Sequence, residues 1–139
     1  MTKEIIPATD EEVKLIDDKI DAFNKSIMSP DMEENIIKKN YVIKDANQVI
    51  AGINAVIYHN SLYVDVIFVT SEYRGQDLGS ELLSKVETEA KEIGATLSHL
   101  ATFDFQAKDF YLKHGYEIFG ILDGCPKEGH KSYYLKKKL

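Results

Sequence analysis

The stretch that decides the fold is FVTSEYRGQDLGSELLSKVE, residues 68–87. It joins an apolar run to an amphipathic helical pattern through a loop that holds Gly75, Gly79 and the chain's only arginine, Arg74. Backbone N–H groups in such a loop, with the free donors of the helix's first turn, bind anions, and a guanidinium adds a rigid fork of donors. The residues therefore predict a phosphate or pyrophosphate across residues 74–80. The alternative is a tight strand-to-helix turn with a surface arginine.

Three runs rich in β-branched and aromatic residues precede this loop: NYVIKD (40–45), QVIAGINAVIY (48–58) and SLYVDVIFVT (61–70). Turn-forming residues separate them, so they predict three sequential antiparallel strands. The third run is apolar on both alternating faces, which is typical of a central strand covered on both sides.

The chain after the loop continues the alternation of helix and strand. A helical stripe ends at Gly94, and it consists of Leu78, Leu82, Val86, Ala90 and Ile93. TLSHLATF (96–103) predicts a strand, DFQAKDFYLKHG (104–115) a helix closed by Gly115, and YEIFGILD (116–123) and KSYYLKKKL (131–139) two final strands.

The N-terminal region predicts helices. Thr9 and Glu12 form a capping-box pattern ahead of an apolar stripe with helical spacing, Val13, Ile16, Ile20, Phe23 and Ile27. Ser29-Pro30 ends this helix and can open a second, short helix through Ile37. With no repeat or linker in the sequence, we expect one α/β (α+β) domain over residues 1–139 with a largely antiparallel sheet.

Composition limits the classes of function. The chain has 139 residues, 44% of them hydrophobic, and a formal net charge of −6. Residues 1–34 hold ten acidic groups against four lysines, which argues against nucleic-acid binding and favours a cationic substrate if that segment lies near a site. No apolar run approaches the roughly 18 residues of a membrane span, and a lone cysteine, Cys125, fits a reducing compartment. We expect a cytoplasmic protein.

Two segments resemble the GNAT family of N-acetyltransferases. Residues 74–79 are similar to its cofactor motif, Arg/Gln-x-x-Gly-x-Gly/Ala, with Arg74 first, Gly79 last and Asp77 in place of the middle glycine. Residues 104–116 resemble the family's Asn-x-x-Ala-x-x-Phe-Tyr-x-Lys-x-Gly-Phe segment, with Asp104 in place of the asparagine and Tyr116 in place of the last phenylalanine. The resemblance covers residues 62 to 139.

The resemblance implies a fold and a reaction. The fold is the acyl-CoA N-acyltransferase fold, a mostly antiparallel central sheet of about six to seven strands flanked by about four helices. The reaction is direct transfer of acetyl from acetyl-CoA to a primary amine of a small molecule or peptide, without a covalent acyl-enzyme. Dimerisation is common in the family, so the resemblance is compatible with a homodimer.

The resemblance also implies site residues. The pyrophosphate would lie on the loop formed by Arg74, Gly75, Gln76, Asp77, Leu78, Gly79 and Ser80. The backbone of Phe68 and Val69 would pair with the pantetheine arm, and Tyr111 would protonate the departing thiolate. Asp65 is a candidate general base that could equally face the other side of the sheet. Asp104 is expected to cap the helix that follows it, and it could also touch the pantetheine.

Two other interpretations of the function stay open. Asp77 places a carboxylate beside the expected pyrophosphate, so one alternative is a catalytically weak CoA or acyl-CoA sensor of the same fold. A second is an α/β nucleotide binder that uses the loop for another phosphate ligand. The four histidines have no metal-ligand spacing, and we expect no metal site.

Overall fold

The computed structural model describes residues 2–28 and 36–139. These fall into two compact units, Met1–Glu33 and Glu34–Leu139. The first unit contains the helix α1 (Asp10–Ile27), and the second contains a mixed sheet with the other helices. Whether residues 1–139 fold as one domain stays a prediction. No helix in the described ranges is long and apolar enough to cross a membrane.

Helix α1 begins where the capping-box pattern places it. The Thr9 hydroxyl oxygen accepts from the Glu12 backbone N–H at 3.2 Å, and the Glu12 carboxylate accepts from the Thr9 N–H at 3.0 Å. The two bonds satisfy donors that a helix start leaves free. The predicted first helix is therefore confirmed.

The second unit is built on a seven-stranded sheet with the order β1-β3-β4-β5-β7-β6, in which β2 also pairs with β3. The strands are β1 (Ile36–Lys38), β2 (Tyr41–Asp45), β3 (Gln48–Tyr58), β4 (Ser61–Val69), β5 (Leu97–Phe103), β6 (Glu117–Asp123) and β7 (Lys131–Lys138). All the pairings are antiparallel except the one between β4 and β5. This confirms the predicted mostly antiparallel sheet of six to seven strands.

Two further α-helices complete the unit, α2 (Leu78–Ile93) and α3 (Lys108–Lys113). The described residues thus hold three α-helices rather than the expected four. Residues 29–35 of the predicted second helix lie outside the described residues, and its end is wrong: Ile36 and Ile37 pair with Tyr58 and Ile57 as strand β1. Pairing of β-branched side chains along β3 prevails there over the local helix signal.

One face of the sheet packs against α2. The buried core alternates along β3, β4 and β5 and includes the α2 stripe: Ile53, Ala55, Ile57, Leu62, Val64, Leu82, Leu83, Val86, Ala90 and Leu100. Glu89 on α2 accepts hydrogen bonds from Tyr41, Lys39 and Lys85, and these lower the pKa of its carboxyl to about 2. These contacts attach the helix to the start of the sheet. The expectation that β4 is covered on both faces is wrong, because Val66 and Phe68 stay 43% and 61% exposed.

Candidate active site

The sheet opens into a cleft between its two parallel strands. β4 and β5 pair only where Ser61–Tyr63 meets Leu97–His99. Beyond these pairs a cavity of about 550 Å³ separates them. It is lined by Asp65, Val66, Ile67, Phe68, Val69, Arg74, Gly79, Ala101, Thr102, Phe105, Gln106, Ala107, Phe110 and Tyr111. A strand edge that faces a cavity offers backbone donors and acceptors to an extended ligand.

A β-bulge shapes the β4 wall of the cleft. Asn54 on β3 pairs with Val66, but the next residue, Ala55, pairs with Val64, so Asp65 is the extra residue on β4. A bulge of this kind re-aims a side chain and leaves the extra residue without a partner in the ladder. The exposed Asp65 lines the cleft. Asp65 therefore lies at the cleft, and its role as the general base stays a prediction.

The loop between β4 and α2 ends in the free N–H groups of a 16-residue helix. Gly75 has φ +82°, and a Cβ there would meet nothing within 4 Å. A Cβ on Gly79 would lie 3.4 Å from the Phe110 ring, so glycine allows α2 to pack closely on α3. Ser80 has its hydroxyl 2.9 Å from Nε2 of His114. The first turn of α2 therefore packs against α3. The N-terminus of α2, which is the positive end of the helix dipole, stays accessible to a ligand.

Arg74 lies at the junction of this loop and the cleft. Its Nε donates to the backbone oxygen of Val69 at 3.2 Å. Within the described ranges, its guanidinium forms no ion pair with a carboxylate. The terminal N–H groups are therefore left for an external anion, held in position by the Nε bond.

Asp77 takes the backbone conformation of a glycine. It is the N-cap residue of α2 with φ 63° and ψ 19°, and its side chain makes no capping hydrogen bond. Aspartate and asparagine tolerate this left-handed region better than other residues that carry a Cβ. The substitution for the family's glycine is thus accommodated by the backbone, while the carboxylate remains at the positive end of the helix.

Replacing Asp77 by asparagine should tighten the binding of acetyl-CoA, the cofactor that the resemblance implies, by about threefold to tenfold. The substitution removes a like charge from beside the expected pyrophosphate and keeps a residue that tolerates the left-handed conformation. The dissociation constant measured by calorimetry at low salt gives the effect, which should shrink at high salt. Asp109→Asn is the control, because this acidic residue of α3 does not line the cleft within the described residues. Weaker binding by the Asp77 variant would mean that the carboxylate supports the loop.

Tyr111 forms part of the wall of the cleft. It is 5% exposed, and burial raises the pKa of its phenol to about 12. Its ring meets Phe110 and Tyr116 edge to face at 5.2 and 5.7 Å. No residue of the described ranges forms a hydrogen bond with its hydroxyl. A protonated phenol with a free hydroxyl in a cleft is suited to donate a proton or a hydrogen bond to a ligand.

A buried polar network, which the sequence did not reveal, supports Tyr111 from behind. The hydroxyl of Tyr116 lies 2.6 Å from the Ser98 hydroxyl and donates to Glu87 at 2.7 Å. Glu87 also accepts from Lys137 at 2.9 Å. This network joins α2, β5 and β7 around the ring against which Tyr111 packs, and so fixes the tyrosine's position.

The phenol of Tyr111 should make stability depend on alkaline pH. Its pKa is about 12 in the fold and 10.0 as the ordinary value, so above pH 10 the unfolded chain loses this proton while the folded chain keeps it. Below pH 10 this phenol leaves the free energy of unfolding unchanged, because it is protonated in both states. Between pH 10 and 12 the free energy of unfolding falls by about 1.4 kcal/mol per pH unit. Urea unfolding of the native chain and of Tyr111→Phe at pH 9, 10 and 11 should show a shallower decline for the variant. Parallel declines would contradict the raised pKa.

Asp104 does not act as predicted. The N-cap residue of α3 is Ala107, not Asp104, and it has no side-chain cap. The Asp104 carboxylate instead lies 3.1 Å from Nδ1 of His130, and its N–H donates to the Lys131 oxygen at 3.0 Å. Pairing with a residue distant in sequence takes the place of the local cap. Asp104 does not line the cleft within the described part of the chain.

The structure brings together the predicted residues Asp65, Phe68, Val69, Arg74, Gly79 and Tyr111 on the cleft. The other predicted loop residues lie beside it at the start of α2: Gly75, Gln76, Asp77, Leu78 and Ser80. Sequence reasoning missed Phe105 as a residue of the cleft wall, because a lone aromatic residue in a loop has no distinguishing pattern. The roles assigned to all these residues stay predictions.

Comparisons with known proteins show what this chain is similar to. The family model described as "Acetyltransferase (GNAT) domain" matches residues 6–121. Blasticidin-S acetyltransferase of Streptomyces morookaense is 32% identical over 100 residues, 71% of this chain and 73% of that protein. An acetyltransferase from Bacillus cereus ATCC 14579 has a solved structure that is 33% identical, with a TM-score of 0.92 over 99% of this chain and 98% of that one.

A more distant structure shares the fold. A Bacillus anthracis str. Ames chain, solved in complex with acetyl coenzyme A, is 22% identical with a TM-score of 0.65, over 84% of this chain and 71% of that chain.

Proposed function

Because this chain belongs to the GNAT acetyltransferase family, we propose that it transfers an acetyl group from acetyl-CoA directly to the primary amine of a small molecule or peptide. Members of the family are acetyltransferases that take the acetyl group from acetyl-CoA. The observation that carries the proposal is the cleft with Arg74 and Gly79 at one end and the free hydroxyl of Tyr111 in its wall.

The loop before α2 and the exposed edge of β4 would together bind acetyl-CoA. The anionic pyrophosphate would meet the free N–H groups of α2, the backbone at Gly75 and the guanidinium of Arg74. The pantetheine arm would run along the edge of β4 at Phe68 and Val69, where β4 has left β5 and its backbone groups face the cavity. The thioester would then lie near Tyr111 and the bulge at Asp65.

The transfer needs a neutral amine and a protonated leaving group. The amine nitrogen attacks the thioester carbonyl, and the carbon–sulfur bond breaks as the amide forms. The proton lost by the amine passes to Asp65, directly or through water, and the phenolic proton of Tyr111 passes to the sulfur of coenzyme A. Backbone N–H groups at the bulge would stabilise the charge that develops on the carbonyl oxygen.

The sensor hypothesis is favoured by one observation, the carboxylate of Asp77 at the positive end of α2. Turnover separates the two functions. Release of free coenzyme A thiol from acetyl-CoA, followed with a panel of primary amines, should rise above the rate without amine. Tight acetyl-CoA binding without thiol release for any amine would favour the sensor, and competition by free nucleotides would favour a nucleotide binder.

The acidic N-terminal segment favours a cationic amine as the acceptor only if that segment lies near the site. The relative from Streptomyces morookaense is named for a small-molecule acceptor, which supports a small molecule rather than a peptide as the acceptor here. The lone Cys125 supports a reducing compartment, which we take to be the cytoplasm.

A further inference from the structure

The cleft passes through the sheet and has two different sides. Leu62, Val64, Leu100 and Thr102 are buried on the side of the sheet that packs against α2. Side chains alternate along a strand, so Ala101 on β5 points to the opposite face. On β4 the bulge shifts the alternation by one residue, which leaves Ile67 and Val69 on the core side and Phe68 on the opposite face. Tyr111 and Phe68 thus line the cavity from opposite faces.

The far side of the cleft is walled by exposed aromatic rings, because Phe105 stacks on Phe103, which the alternation along β5 places on the same face as Ala101. Phe68 and Phe105 are 61% and 60% exposed, although both line the cavity. A single exposed phenylalanine is ordinary, but two on the wall of one cavity form an apolar surface that water solvates poorly. Their position opposite Tyr111 fits an acceptor that approaches the thioester from the second face.

Phe105 is held rigidly despite its exposure. Its ring stacks on Phe103 with centroids 5.4 Å apart at 27°, and it meets the His130 ring edge-on at 5.2 Å. Both neighbours of Phe105 in the chain are held by hydrogen bonds. Asp104 bonds to His130 and Lys131, and the Gln106 side chain accepts from the Phe103 N–H at 2.7 Å. A ring held in this way loses little conformational entropy when a ligand covers it.

We infer that Phe105 and Phe68 select the acceptor, and that the preferred acceptor is a primary amine carried on a flat, unsaturated ring. This inference rests on the proposed function and narrows it. A flat ring can stack on Phe105 in the offset manner that aromatic pairs prefer. The amine would then extend towards Asp65, whose carboxylate attracts it as an ammonium before its proton is lost.

Binding to the protein saturated with coenzyme A tests the inference without requiring turnover. The probes are 2-phenylethylamine, its saturated counterpart 2-cyclohexylethylamine, and spermidine, each titrated by calorimetry. The variants are Phe105→Leu, which keeps an apolar side chain but removes the ring, and Phe105→Tyr, which keeps the ring. Phe119→Leu is the matched control, because Phe119 is 56% exposed on β6 and does not line the cleft within the described residues.

The native chain should bind 2-phenylethylamine about threefold to tenfold more tightly than the cyclohexyl compound. Phe105→Leu should weaken binding of 2-phenylethylamine about tenfold and abolish that preference, while Phe105→Tyr and Phe119→Leu leave both unchanged. Equal affinities for the two ring compounds, no effect of Phe105→Leu, or tighter binding of spermidine than of either would overturn the inference.

Thiol release with the same probes separates the two proposals. If thiol is released with spermidine, and Phe105→Leu does not change the affinity for 2-phenylethylamine, the proposed function stands and the inference is wrong. Ring-selective binding through Phe105 without thiol release for any amine would retain the aromatic binding site and remove the acetyl transfer.

Discussion

Replacing Tyr111 by phenylalanine should lower kcat for acetyl transfer by about 100-fold to 1,000-fold, the range in which a single general acid contributes. The hydroxyl is the group that the variant lacks, and it has no hydrogen-bond partner among the described residues. Its pKa of about 12 means that the native phenol carries its proton throughout the neutral range. Steady-state thiol release at saturating acetyl-CoA measures the change.

The structure suggests how to separate this effect from a loss of folding. The aromatic packing with Phe110 and Tyr116 survives in phenylalanine, so acetyl-CoA affinity and the midpoint of urea unfolding at pH 7 should change little. Tyr134→Phe is the matched control, because Tyr134 lies on β7 and does not line the cleft in the described part of the chain. A kcat within threefold of native for Tyr111→Phe would exclude the tyrosine as the acid.

Replacing Arg74 by alanine should weaken acetyl-CoA binding by about 10-fold to 100-fold, with kcat at saturation changed far less. The guanidinium has no carboxylate partner within the described ranges and is fixed by its bond to Val69, so its donors are ready for an anion. A charge-assisted hydrogen bond to a phosphate contributes about 1.5–3 kcal/mol, and every 1.4 kcal/mol is about tenfold in affinity. Calorimetric titration with acetyl-CoA measures the loss.

Two variants make the Arg74 result specific. Arg74→Lys keeps the charge but not the fork, and should recover only part of the affinity. Lys91→Ala removes a positive charge from the last turn of the same helix, far from the expected pyrophosphate, and should leave the dissociation constant within about twofold. Equal losses for Arg74→Ala and Lys91→Ala would reduce the role of Arg74 to a general charge effect.

Local periodicity was enough to predict most of the elements. The stripe of α2 and the meander of β2, β3 and β4 follow from spacings within a few residues, and short-range sterics enforce these spacings. The junction of strand, loop and helix at the start of α2 could be predicted for the same reason, because its parts are contiguous in the sequence, and the anion site expected there stays a prediction.

Features that depend on distant partners could not be predicted. The cap expected at Asp104 fails because the carboxylate pairs with His130, 26 residues later. The face of Asp65 depends on a bulge, which only the register between β3 and β4 defines. The strand at Ile36–Lys38 exists because β3 offers it an edge, and a tertiary contact of this kind overrides local propensity.

The short junction between β4 and β5 has a consequence for the mechanics of the protein. Three pairs of residues are the only ladder between two half-sheets, β1 to β4 on one side and β5 to β7 on the other, in the described part of the chain. A pantetheine arm seated along β4 would occupy the gap that the missing ladder leaves. The donor would then act as an added strand that couples the two half-sheets. Binding of acetyl-CoA or coenzyme A would restrain the relative motion of the half-sheets and stabilise the folded state by mass action.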